Sequence, residues 1–105
     1  MARPVSTLAS VDPRLLRLGQ GDNVLIVIRP IRLGEQFRIG EIELAAAVTL
    51  PIGFKVAAVD FAEGDVALRL GMPIGRATAA IRTGELVHTH NLASMYMRTH
   101  ERGEA

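Results

Sequence analysis

Asp22-Asn23-Val24-Leu25-Ile26-Val27-Ile28-Arg29-Pro30 decides the fold class. Its aliphatic run has no polar face and is rich in β-branched residues. It reads as a strand covered on both sides. Pro30 has no amide hydrogen to give to a ladder and ends it. Upstream, Gly19-Gln20-Gly21-Asp22-Asn23 is a turn. Before it, Asp12-Pro13 and the segment to Gly19 fit one or two helical turns or, equally, a short strand. Downstream, Phe37-Arg38-Ile39 and Ile42-Glu43-Leu44 alternate apolar with polar, as half-buried strands do. Val48-Thr49-Leu50 leads into Pro51, and Lys55 to Val59, Val66 to Leu70 and Leu86 to His90 are further strand candidates. Glu43 to Val48, with its alanines, has some helical character but runs into Val48-Thr49 and Pro51. Nine of the ten glycines fall between Gly19 and Gly84, which leaves little room for a long helix. The expectation is a mainly β domain.

A repeat supports it. Pro51-Ile52-Gly53 returns as Pro73-Ile74-Gly75, Ala57-Ala58-Val59 as Ala79-Ala80-Ile81, and Glu63-Gly64-Asp65-Val66 as Thr83-Gly84-Glu85-Leu86. Each copy reads as turn, strand, tight turn, strand, and two such pieces make a small folded-over β unit. The expected division is an arm over residues 1–21, a domain over 22–91 and a polar tail or linker stub over 92–105.

Length and composition narrow the function. A chain of 105 residues is one domain. At this size roughly 65% of the unfolded surface is buried, a thin core that leaves room for self-association. A net charge of +1 and 4% aromatic residues speak against nucleic acid as a partner. The run Val24 to Ile28 is far too short to cross a bilayer, and the N-terminus lacks the apolar stretch of a secretory signal, so a cytoplasmic location is expected. There is no cysteine, which removes thiolate zinc sites, Fe–S clusters and Cys nucleophiles. No nucleophile elbow, phosphate loop or dinucleotide fingerprint occurs. The chain is too sparse in catalytic groups to be a complete enzyme alone.

The residues most able to carry chemistry are His88 and His90 in His88-Thr89-His90-Asn91. On a strand, residues two apart share a face about 6–7 Å apart, so two imidazoles there can share a metal or grip an anion. The plainer alternative is a pair of partly exposed histidines at a strand end. Lys55 and Arg76 each lie just beyond a Pro-Ile-Gly turn, where a carboxylate could be held by the cation and nearby amides. Alternatively both are solvated surface cations. Asp60, Glu63, Asp65 and Glu85 fit ordinary turn chemistry.

Asp22-Asn23-Val24, then Pro51-Ile52-Gly53-x-Lys55, then Gly71-Met72-Pro73-Ile74-Gly75-Arg76-Ala77, then Gly84-Glu85-x-Val87-His88-x-His90-Asn91 follow one another in an order that resembles the SAF domain of the altronate and galactarate dehydratase family. The resemblance runs from Asp22 to Asn91. It implies a small β-clip (SAF, antifreeze-like) fold and membership of a hydro-lyase of carbohydrate metabolism acting on altronate or a related hexonate or hexarate. It also implies a divalent metal, iron or manganese, and a large catalytic dehydratase subunit as partner. On this basis His88 and His90 are expected to ligate metal or move protons, and Lys55, Arg76 and Asn91 to bind the sugar acid. Alternatives are a non-catalytic module for association or sugar-acid binding, and a related lyase for another hydroxy acid. The chain departs from the family pattern at Phe54, where histidine is usual, and at Leu70, where tyrosine is usual. Neither side chain here can ligate a metal or exchange a proton.

Overall fold

A computed structural model describes residues 11–94, and every regular element in that span is a strand. The strands are β1 (Leu15–Leu16), β2 (Val24–Val27), β3 (Gln36–Ile39), β4 (Ile42–Ala45), β5 (Lys55–Ala57), β6 (Val66–Arg69), β7 (Met72–Ala77), β8 (Leu86–Val87) and β9 (Leu92–Ser94). They form an antiparallel sheet in the order β1-β2-β5-β8, a β3-β4 hairpin and a three-stranded sheet in the order β6-β7-β9. The fold is mainly β, as expected.

The apolar run of β2 is covered on both faces because its sheet separates two cores. Leu25 and Val27 join Leu15, Ile31, Phe37, Ile39, Leu50 and Val56 on one side. Val24 joins Ala57, Phe61, Ala67, Ala77, Ile81 and Val87 on the other. The register Val24↔Ala57 and Leu25↔Val56 keeps the two sets apart, since successive residues of a strand face opposite ways.

One turn recurs three times. Ile31, Phe61 and Ile81 are buried anchors, each followed three residues later by Gly34, Gly64 or Gly84 at φ of 86°, 94° and 87°. An acid comes next. The amides of Arg32, Ala62 and Arg82 donate to the carboxylates of Glu35, Asp65 and Glu85 at 2.9, 2.8 and 2.7 Å. The true repeat is therefore Ile31–Phe37, Phe61–Ala67 and Ile81–Val87. The sequence match of Pro51-Ile52-Gly53 to Pro73-Ile74-Gly75 does not hold in space. Residues 51–54 make a turn, whereas Pro73 to Gly75 lie inside β7.

Of the two readings open before Gly19, the short strand holds: Leu15–Leu16 pair with Val27 and Ile26, burying Leu15 and tying this part of the arm to the domain. Of the tail, Leu92–Ser94 form β9 on β7, held by Leu92, which packs on the second core. Glu43 to Ala45 are strand, because pairing with β3 overrides alanine's helical preference. Residues 1–10 of the arm and 95–105 of the tail lie outside the described residues. Among those described, no helix is long and apolar enough to cross a membrane.

Asp22 and Asn23 pin the β6-β7 hairpin to this frame. The buried Asp22 carboxylate accepts from the amides of Gly19 (2.8 Å), Leu70 (2.8 Å) and Gly71 (3.0 Å). Asn23 donates to the Val66 carbonyl at 2.9 Å and accepts from the Leu68 amide at 2.8 Å. The second bond falls where the β6-β7 register slips between Ala67 and Leu68. A bulge frees ladder groups, and Asn23 satisfies one of them.

Candidate functional site

β8 ends at Val87, and residues 88–91 form a tight turn, so His88 and His90 do not share a strand face. The amides of Asn91 and Leu92 both donate to the His88 carbonyl, at 3.0 and 2.9 Å. Inside this turn the Asn91 side chain accepts from the His88 amide at 3.0 Å and donates to the Leu86 carbonyl at 2.9 Å. Asn91 is 7% exposed, and its amide is spent on the turn. It shapes the site and does not reach into it. Asn-type side chains mimic a backbone turn in this way, which also explains why the strand expectation failed after Val87.

The turn sends the two histidines to different places. His88 lines a cleft over the second core, with Lys55, Arg69, Ile74, Val87 and Leu92. His90 lines a more apolar groove over the first core, with Phe37, Leu44, Leu50, Leu86 and Arg82. The central sheet separates the two, so the expected imidazole pair is not formed. No group of three or more His, Asp or Glu side chains among the described residues is placed to hold a metal ion. The described residues do not by themselves complete an iron or manganese site.

The cleft with His88 measures about 300 Å³. β5 places Lys55 there through its register with Val87 on β8, and β6 ends at Arg69, paired with Met72 across the hairpin turn. Lys55 is half-buried, and Arg69 and His88 are exposed. No Asp or Glu lines the cleft, and neither Lys55 nor Arg69 has an ion pair among the described residues. Two cations and an imidazole above an apolar floor suit an organic anion, with Arg69 offering a planar fork for a carboxylate or sulfonate. The Phe54 ring packs against His88, centroids 5.0 Å apart and planes at 47°, without itself lining the cleft.

Arg76 is elsewhere. It is exposed on β7 and donates to the Gly64 carbonyl at 3.1 Å, bracing a repeated turn. The second cation of the cleft, Arg69, was not picked out from the sequence. The signal that could have found it is its place just before Leu70-Gly71, the two-residue turn that carries it beside Lys55.

A family model described as altronate/galactarate dehydratase SAF domain matches residues 13–95. The chain is 32% identical over 76 residues to altronate dehydratase of Bacillus subtilis (strain 168), a match covering 72% of this chain and 15% of that protein. It is 40% identical over 58 residues to the (2R)-sulfolactate sulfo-lyase subunit alpha of Chromohalobacter salexigens, covering 55% of this chain and 60% of that subunit.

Proposed function

The chain belongs to the altronate/galactarate dehydratase SAF-domain family, and on that premise we propose that it is the small anion-gripping module of a lyase that eliminates water, or another β-substituent, from a hydroxy acid. The observation that carries the reading is the meeting of Lys55, Arg69 and His88 in one cleft that no carboxylate lines among the described residues. The relatives' names support it, since both are lyases named for hydroxy-acid anions and one is a named subunit. The larger catalytic part of the assembly supplies what this chain lacks.

The chemistry is β-elimination. A base takes the proton from the carbon next to the carboxylate, and the electron pair moves onto the carboxylate as enolate-like charge. The pair then returns to expel the β-substituent, which leaves as water when it is a hydroxyl protonated on departure. Lys55 and Arg69 hold the carboxylate, and their charge opposes the build-up of negative charge on its oxygens. His88, at the cleft rim, exchanges a proton with the leaving group or with the substrate hydroxyls. The base belongs to the larger part, as do the ligands of any metal. His90 has no role in the step, and Arg76 and Asn91 act on the fold.

A second reading, an association module outside the chemistry, draws support from Phe54, whose apolar ring occupies one face of His88. Kinetics of the assembled lyase on altronate and sulfolactate separate the two. In the first reading K55A and R69A each lower kcat/KM about a hundredfold, through KM and kcat together, as loss of a contact that holds the carboxylate and strengthens as charge develops on it does. H88A lowers kcat, and H90A changes neither. Unchanged kinetics for all four variants, with the complex intact, would establish the association module instead.

A further inference from the structure

The β6-β7 hairpin tip joins the cleft to an exposed apolar surface that the reading above does not use. Leu70 is 59% exposed and Met72 63%, and the Leu70 backbone lies against Gly19, next to the 37%-exposed Leu18. We infer that Leu18, Leu70 and Met72 form the docking surface for the catalytic part of the same lyase, which thereby roofs the Lys55–Arg69–His88 cleft. The inference rests on the lyase reading and adds to it the place of contact.

Three observations carry it. Leu70 has a φ of 55°, where Leu70-Gly71 make a turn with both central residues left-handed. Asn or Gly is the ordinary choice there, and a branched side chain is strained. A strained residue that also shows an apolar side chain to water gains nothing from the other described residues, and such outliers gather at functional contacts. Second, the tip is rigid, because the buried Asp22 carboxylate holds the Leu70 and Gly71 amides. A surface held in its bound shape loses less entropy on docking. Third, charge selects the occupant. Arg69 adjoins Leu70 and lines the cleft, where no acidic side chain among the described residues offsets it or Lys55. A partner face that is apolar at its centre and acidic at its edge complements this tip, and an acidic side chain entering the cleft would also supply a base.

The test uses L70N, which removes the apolar side chain while relieving the backbone. The partner is the lyase chain of the same genome that matches the remainder of the altronate dehydratase relative. It is titrated against this chain by calorimetry, with sedimentation reporting assembly state. L70N is expected to raise the Tm of the free chain and yet weaken the complex about tenfold or more, with M72K doing the same to the complex alone. A purely structural Leu70 would raise the Tm and leave the affinity unchanged, which overturns the inference. Loss of a dimer of the free chain in L70N would assign the surface to a second copy and overturn it too. L70N keeps the lyase reading separable, since the free L70N chain is expected to retain the anion binding that K55A and R69A lose. If the wild-type pair forms no complex at all, both the surface and the reading beneath it fail.

Discussion

At Asp22 a buried carboxylate meets three backbone amides, and most of the hairpin's placement follows from that one group. Burial by itself would push its carboxyl up. The amides of Leu70, Gly71 and Gly19, with the Arg17 guanidinium, outweigh burial and hold it below the usual carboxylate range. The Arg14 fork does the same for Asp12, gripping it through Nε and Nη2, both at 3.0 Å. A carboxyl lowered in the folded state stabilises the fold above its unfolded value, about 3.9, and that contribution drains away as pH falls through the folded value. Urea unfolding should therefore give a steady midpoint between about pH 5 and 7 and a falling one below about pH 4. Asp22→Ala leaves buried amide donors without partners and should cost about 2–4 kcal/mol at neutral pH, with a shallower loss in acid. An acid limb as steep as the wild type's would show that Asp22 is not its source. Asp22-Asn23 was conspicuous in the sequence, but its work was not, because every hydrogen-bond partner its two side chains hold beyond Gly19 is more than forty residues away.

Among the elements, the triple turn shows where sequence reading succeeds and where it slips. The match of Glu63-Gly64-Asp65 with Thr83-Gly84-Glu85 was visible and true. The copy at Leu33-Gly34-Glu35 was missed, since the tripeptide matches around Pro51 and Pro73 drew the alignment elsewhere. Pro73 looked like a turn but sits in β7, opposite Leu68 where the β6 register slips, an irregularity at which a missing ladder amide is tolerated. The three turns also differ in their surroundings. A methyl group at Gly34 or Gly64 meets open space, but at Gly84 it would lie 2.6 Å from Leu44 Cδ1 on the β3-β4 hairpin. Thermal unfolding should rank the substitutions accordingly. G34A and G64A should each cost about 1 kcal/mol through the left-handed backbone alone, and G84A about 2–4 kcal/mol because Leu44 must also move. Equal losses at all three would mean that the hairpin does not rest on the third turn.

For the whole molecule, the mainly β architecture was readable because strand alternation and frequent glycines are local signals. The two-core arrangement was half readable, in the doubly buried run of β2. The site was not readable to the same degree. Lys55 and His88 were both singled out and line one cleft, but pairing His88 with His90 assumed that the strand continued past Val87. The Asn91-capped turn divides those histidines between opposite faces of the central sheet. Arg69 joins Lys55 only through the folding-over of β6 and β7, which no short window of sequence contains. The measurement that bears most directly on the account is an amide-shift titration of this chain at low salt with altronate and with sulfolactate. The account predicts saturable shifts centred on Lys55, Arg69 and His88 that vanish in K55A/R69A. Shifts centred on His90, Phe37 and Leu44, or a response that survives in K55A/R69A, would contradict it.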